Sequence, residues 1–169
     1  MRQDKRHVYL MVHGAAIAAI YVALTLMLSA ISFGPVQFRI SEALCILPYF
    51  TPAAVPGLFI GCLLSNLLFG AALPDIVFGS LATLIGAVGS WCLRRHKWCV
   101  CLPPIFANAL IIPLVLRYAY GAPDLILYMV GTVGLGEILA VGVLGNVLLI
   151  TLERYKSIIF GGPVHSARS

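Results

Sequence analysis

From Arg39 to Gly86 the chain is almost wholly apolar, and its only formally charged side chains are Arg39, Glu42 and Asp75. Prolines at 48, 52, 56 and 74 interrupt the run. A water-soluble domain carries about a quarter charged residues, whereas this 169-residue chain carries 10%. So few charges over so long a stretch point to a bilayer as the solvent. There, each ionisable group is costly and sits where something is bound or held.

The rest of the charge is ordered in the same way. Basic residues cluster at Arg2, Lys5 and Arg6, at Arg94, Arg95 and Lys97, and at Arg154 and Lys156, each beside an apolar run. This placement marks the cytoplasmic ends of membrane helices and attracts anionic headgroups; it does not describe a nucleic-acid face. The basic start and the apolar run from Val8 to Ile31 are too long for a typical signal peptide and read as an uncleaved first helix.

Hydropathy and breakers predict an all-α membrane protein with helices at about 8–31, 41–50, 53–70, 74–93, 100–116 and 125–153, forming one integral domain over residues 1–160. Residues 161–169 read as a disordered tail. Ser32-Phe33-Gly34-Pro35 reads as a turn, and Val36 to Arg39 as a crossing of the pocket mouth. Ser41 is expected to cap the second helix, with Glu42 in its first turn, and Thr51-Pro52 ends it. Charge parity decides the number of spans. Six crossings place all three basic clusters and both termini in the cytoplasm, whereas five would put Arg94–Lys97 outside. The second helix is then short or partly re-entrant.

That topology gives each polar residue a depth. Arg39, Glu42, Asn66 and Asp75 fall near the outer surface, Asn108 and Glu137 near mid-membrane, and Asn146 deeper towards the cytoplasm. Glu137 follows a glycine-rich run, Gly131-Thr132-Val133-Gly134-Leu135-Gly136, which admits either a flat ligand or a neighbouring helix. A carboxylate there needs a partner or a wet cavity. Arg39 and Glu42, one turn apart, can pair with each other, and Asp75 can support a helix N-terminus, so each has a structural reading beside the binding one. Tyr49, Phe50, Phe69 and Phe78 are candidates for stacking surface or for lipid-facing positions.

Two acids, amides and aromatics suit a planar, donor-rich, cationic or neutral solute, because a carboxylate accepts paired N–H bonds. No Walker GxxxxGK[ST] sequence and no HExxH occur. Cys92, His96, Cys99 and Cys101 match none of the common CxxC-based zinc spacings and flank a basic loop, so no metal or other cofactor is expected. On helix 1, Ala15, Ala19 and Ala23 recur every fourth residue, a stripe that serves either internal packing or a partner helix.

RISEALCILPYFTPAAVPGLFIGCLLSN followed by LPDIVFGSLATLIGA, with NALIIPLVL and VGLGEILAVGVLGN later in the chain, resembles the QueT family over roughly residues 10 to 155. The resemblance implies a six-helix S component of an energy-coupling factor (ECF) importer. Such a subunit captures a queuosine precursor, a deazaguanine, outside the cell and works with a T component and two ATPase subunits. It further implies that Ala15, Ala19 and Ala23 dock on the T component. The expected solute contacts, from depth and chemistry, are Glu137, Asn108, Asn66, Asp75, Arg39 and Glu42. Alternatives are an S component for another small solute such as a vitamin, a small intramembrane enzyme using Glu42, Asp75 or Glu137 as acid or base, and a purely structural membrane protein.

Overall fold

The computed structural model describes residues 2–28 and 39–160, with the side chains of residues 2–6 left aside. The turn expected at Ser32–Pro35, the mouth crossing before Arg39 and the tail from Gly161 lie outside the described residues. Those described are helical, with no strand among them. Helix α1 covers Arg2–Met27, a 3-10 segment Ile40–Tyr49, α2 Ala54–Phe69, α3 Leu73–Cys92 and α4 Leu102–Ala119. The last rod is continuous. It comprises α5 (Ile126–Glu137), a π-helical segment (Ile138–Gly145) and α6 (Asn146–Ile159).

Four helices are long and apolar enough to cross a bilayer: His7–Met27, Leu73–Cys92, Lys97–Ala119 and Ile126–Ile159. The last runs past the end expected at Glu153, and its 34 residues give a rod of about 50 Å at 1.5 Å per residue, longer than a hydrocarbon core and accommodated by tilt.

The second element departs most from the α-helix expected at 41–50. It is a ten-residue 3-10 helix, a form uncommon beyond three or four residues. Residues Ser41 to Pro48 are all buried, because α1, α2, α3, α6 and the π segment surround it. Apolar side chains on every face explain that central position. Its rise of about 2.0 Å per residue carries ten residues about 20 Å, where an α-helix would reach about 15 Å. Pro48, inside the segment, also disfavours α-helical continuation. Ser41 makes no cap bond; its hydroxyl accepts from Thr25 Oγ1 at 2.7 Å. An apolar environment with a hydroxyl beside it wins over a capping position.

The segment joins the two ends of the bundle. At its start, Arg39 pairs with Asp75 in the first turn of α3, at 3.9 Å. At its finish, Tyr49 donates to Glu153 Oε1 on α6 at 3.3 Å, and Lys97 donates to the other oxygen of Glu153. At this second end Tyr9 Oη and His13 Nε2 of α1 both meet the Ile159 carbonyl oxygen at 3.1 Å, and Phe160 stacks on Phe50 with centroids 5.0 Å apart.

Helix α2 packs on α1 at close range. A Cβ at Gly57 would lie 2.6 Å from the Gly14 carbonyl oxygen, so only glycine allows this approach. Gly57, Gly61 and Ser65 recur every fourth residue along α2, and all three are buried.

Candidate functional site

Polar side chains in the bundle recur at helical spacing and converge. Tyr21 and Thr25 lie four apart on α1, Cys62 and Asn66 four apart on α2, and Asp75 and Thr83 eight apart on α3. Residues four apart share a helix face, so each pair presents a polar edge in an otherwise apolar wall. All six are buried, and the 3-10 segment supplies Arg39, Glu42 and Cys45 between them.

Glu42 is the most fully bonded of the acids. It accepts from Tyr21 Oη at Oε1, from Thr83 Oγ1 at 3.5 Å and from Cys45 Sγ at 3.0 Å through Oε2. Thr83 lies two turns, about 12 Å, along α3 from Asp75, so Glu42 bonds further along α3 than the Arg39–Asp75 pair does. Glu42 therefore lies on the Thr83 side of the cluster, with Tyr21 and Cys45.

Asn66 and Asp75 form the other layer of the cluster with Arg39. Asn66 Nδ2 donates to the Asp75 carbonyl oxygen at 3.4 Å and faces Cys62 Sγ at 3.7 Å, which fixes the orientation of its amide. Gly79 lies between them on α3. A Cβ there would meet Asp75 Oδ1 at 3.0 Å and Asn66 Nδ2 at 3.2 Å. A glycine costs a helix about 1 kcal/mol relative to alanine. Here it lets a carboxylate and an amide close onto the α3 backbone.

Glu137 ends α5 immediately before the π segment. Turns of this kind recur at functional sites because they re-aim side chains. It lies beside Asn108 of α4 and within charge-interaction range of Glu42 and Arg39, and of Cys45. The structure therefore gathers all six expected residues, Arg39, Glu42, Asn66, Asp75, Asn108 and Glu137, into one buried cluster. Asn146 stays apart and donates to Gly142 O at 2.5 Å.

Three acceptor atoms of this cluster, Asn66 Oδ1, Asp75 Oδ1 and Glu137 Oε2, are buried with no hydrogen-bond donor among the described residues. A buried acceptor without a donor costs about 1–3 kcal/mol, so three in one place call for donors from elsewhere.

The suggested stacking aromatics do not join them. Phe69 and Phe78 are exposed, as lipid-facing aromatics are, and Tyr49 and Phe50 pack at the Glu153 end. Tyr120, which sequence reasoning passed over, does join. It follows α4, donates to Asp75 Oδ2 at 3.0 Å and accepts from the Ala72 N–H at 3.1 Å. Burial raises its phenol above the ordinary range, and the Asp75 charge adds to this against the Ala72 bond. It thus stays a donor at neutral pH.

Ala15, Ala19 and Ala23 are exposed. They line a groove of about 890 Å³ between α1 and α2, with Pro56, Ile60 and Leu64 opposite. Among the described residues the stripe faces out of the bundle.

The model of the family described as QueT transporter matches residues 11–154. Over 83 residues the chain is 42% identical to the queuosine precursor transporter QueT of Lactococcus lactis subsp. cremoris (strain MG1363). That alignment covers 48% of each protein, so the chain spans about half the length of this curated relative. No solved structure matches. Four spanning helices and a family match over nearly the whole chain identify a multi-pass integral membrane protein of the cell membrane. The chain belongs to the QueT transporter family, a family of transporters and not of enzymes.

Proposed function

We propose that this protein is the solute-capture (S) subunit of an ECF importer and that it binds a queuosine precursor of the deazaguanine type. The observation that carries the solute class is the set of three donorless acceptors, Asn66 Oδ1, Asp75 Oδ1 and Glu137 Oε2. A guanine-like edge with an amino substituent offers N–H donors in a plane, and a carboxylate accepts two of them in parallel. The name of the Lactococcus relative points to the same solute. Arg39, Glu42 and Asn108 complete the site, Glu42 chiefly by positioning Tyr21, Cys45 and Thr83 around the solute.

Six crossings with both termini in the cytoplasm fit this role. Support comes from the 3-10 segment, whose Arg39 end meets Asp75 and whose Tyr49 end meets Glu153. A segment tied to both ends of the bundle suits a short crossing better than a re-entrant loop. The Asp75 end is then outside, and Arg94–Lys97 and Arg154–Lys156 lie inside, as the positive-inside preference requires. A T component would dock in the groove at Ala15, Ala19 and Ala23, and two ATPase subunits would power import.

The test is binding by the purified full chain in nanodiscs. An amino- or cyano-substituted deazaguanine should bind one to one and survive competition by a panel of vitamins. Asp75→Asn and Glu137→Gln should each weaken it by about tenfold or more, the effect expected for a lost charged hydrogen bond. Displacement by a vitamin at lower concentration would assign the site to a different solute, and turnover of the ligand would argue for an enzyme.

A further inference from the structure

We infer that Tyr120 is a positioning residue that latches the outer end of the solute site and sets how fast solute enters and leaves. The inference rests on the deazaguanine-capture reading above.

Tyr120 is the most exposed member of the polar cluster. It is 48% exposed, whereas Asp75, to which it bonds, is 1% exposed. A solute approaching from the Asp75 end meets the phenol before it meets the carboxylate. The hydroxyl also holds a place that solute would use, since it occupies Asp75 Oδ2, while Oδ1 has no donor among the described residues. A second bond, from the Ala72 N–H, ties the same oxygen to the start of α3. The phenol thus bridges the end of α4 and the beginning of α3 directly over the acid.

The local chain is built to hold the ring there. Tyr120 is the C-cap of α4, and Gly121 after it takes φ +65°, a left-handed turn that glycine adopts without strain. The chain then folds back. Ala122 N–H donates to Leu116 O at 3.1 Å and Arg117 Nη1 donates to Ala122 O at 2.6 Å. Two bonds to a half-exposed phenol, in competition with water, hold the ring closed and still break on passage of a solute.

The experiment compares wild type, Tyr120→Phe and the control Tyr118→Phe as full chains in nanodiscs. Hydrogen exchange at the Ala72 amide is measured without ligand, and association and dissociation rates are measured with an amino-substituted deazaguanine. Tyr120→Phe should accelerate Ala72 exchange and raise both rates by about threefold to tenfold, with a smaller change in Kd, while Tyr118→Phe changes neither. Faster Ala72 exchange with unaltered solute rates would reduce Tyr120 to a helix cap and overturn the inference. Unaltered exchange would overturn it too, by removing the bond. If the wild type binds no deazaguanine, the capture reading fails. If the wild type binds and the rates of Tyr120→Phe match it, only the latch fails.

Discussion

Tyr21 of α1 donates its hydroxyl to Glu42 of the 3-10 segment, and both side chains are sealed from solvent. This bond ties the central segment to the helix that carries the exposed alanine stripe. Removing the donor leaves a buried carboxylate oxygen without its strongest partner, while the Cys45 and Thr83 bonds remain. Tyr21→Phe should therefore lower stability by about 1.5–3 kcal/mol, the range for hydrogen bonds to charged groups. Glu42→Gln keeps an acceptor for Tyr21 and should cost less. Thermal unfolding in detergent ranks the two, and an unchanged midpoint for Tyr21→Phe would contradict the bond's importance.

The approach of α1 and α2 makes a second, sharper comparison. Gly57→Ala places a methyl 2.6 Å from the Gly14 carbonyl oxygen, backbone that has nowhere to go. Overpacking of this kind costs about 1–3 kcal/mol. Gly131→Ala on α5 meets nothing within 4 Å and gains helix propensity. The first variant should unfold earlier than wild type and the second should not. Equal behaviour would mean that α1 and α2 do not meet at Gly14 and Gly57.

These contacts also show what was legible in the sequence. Charge scarcity and the basic clusters were enough for an apolar helical bundle, since both follow from solvation alone. That Arg39, Glu42, Asn66, Asp75, Asn108 and Glu137 would be buried together was also legible, because an ionisable or amide group in such a bundle must find a partner. The 3-10 form of Ile40–Tyr49 was not, because its α-like composition hides that five neighbouring elements set its length. The rest of the cluster carried a signal that went unused: Tyr21/Thr25, Cys62/Asn66 and Asp75/Gly79/Thr83 all repeat at four. Tyr120 carried none, because its role depends on how the chain folds back after Gly121.

Gly79 separates stability from solute binding. Alanine at this position should help α3 by up to about 1 kcal/mol of helix propensity. Its methyl also crowds the site, 3.0 Å from Asp75 Oδ1 and 3.2 Å from Asn66 Nδ2, and pushes both side chains off their places. Gly79→Ala should thus fold with an unfolding midpoint near that of wild type and bind deazaguanine at least about tenfold more weakly, the scale of one lost charged contact. Calorimetric titration beside a thermal melt reads both. Full affinity in Gly79→Ala would place the solute away from the Asp75–Asn66 edge.

Ala19 offers the test of the outward groove. It is exposed on α1, whereas its neighbours Ile17, Ala18 and Tyr21 are buried in the bundle, so a larger side chain at 19 adds volume to the groove and not to the core. A helix that docks through small residues needs backbone-to-backbone approach, and a leucine in mid-stripe holds the partner off by the thickness of its side chain. Ala19→Leu should therefore retain the wild-type unfolding midpoint and solute affinity and yet fail to co-purify with a T component and its ATPase subunits. Ala19→Gly, which keeps the approach open, should assemble normally. Assembly of Ala19→Leu at the wild-type level would move the partner to another face of the bundle. Loss of solute binding along with assembly would instead show that the α1–α2 groove and the buried polar cluster are mechanically one unit, coupled through the Tyr21–Glu42 bond.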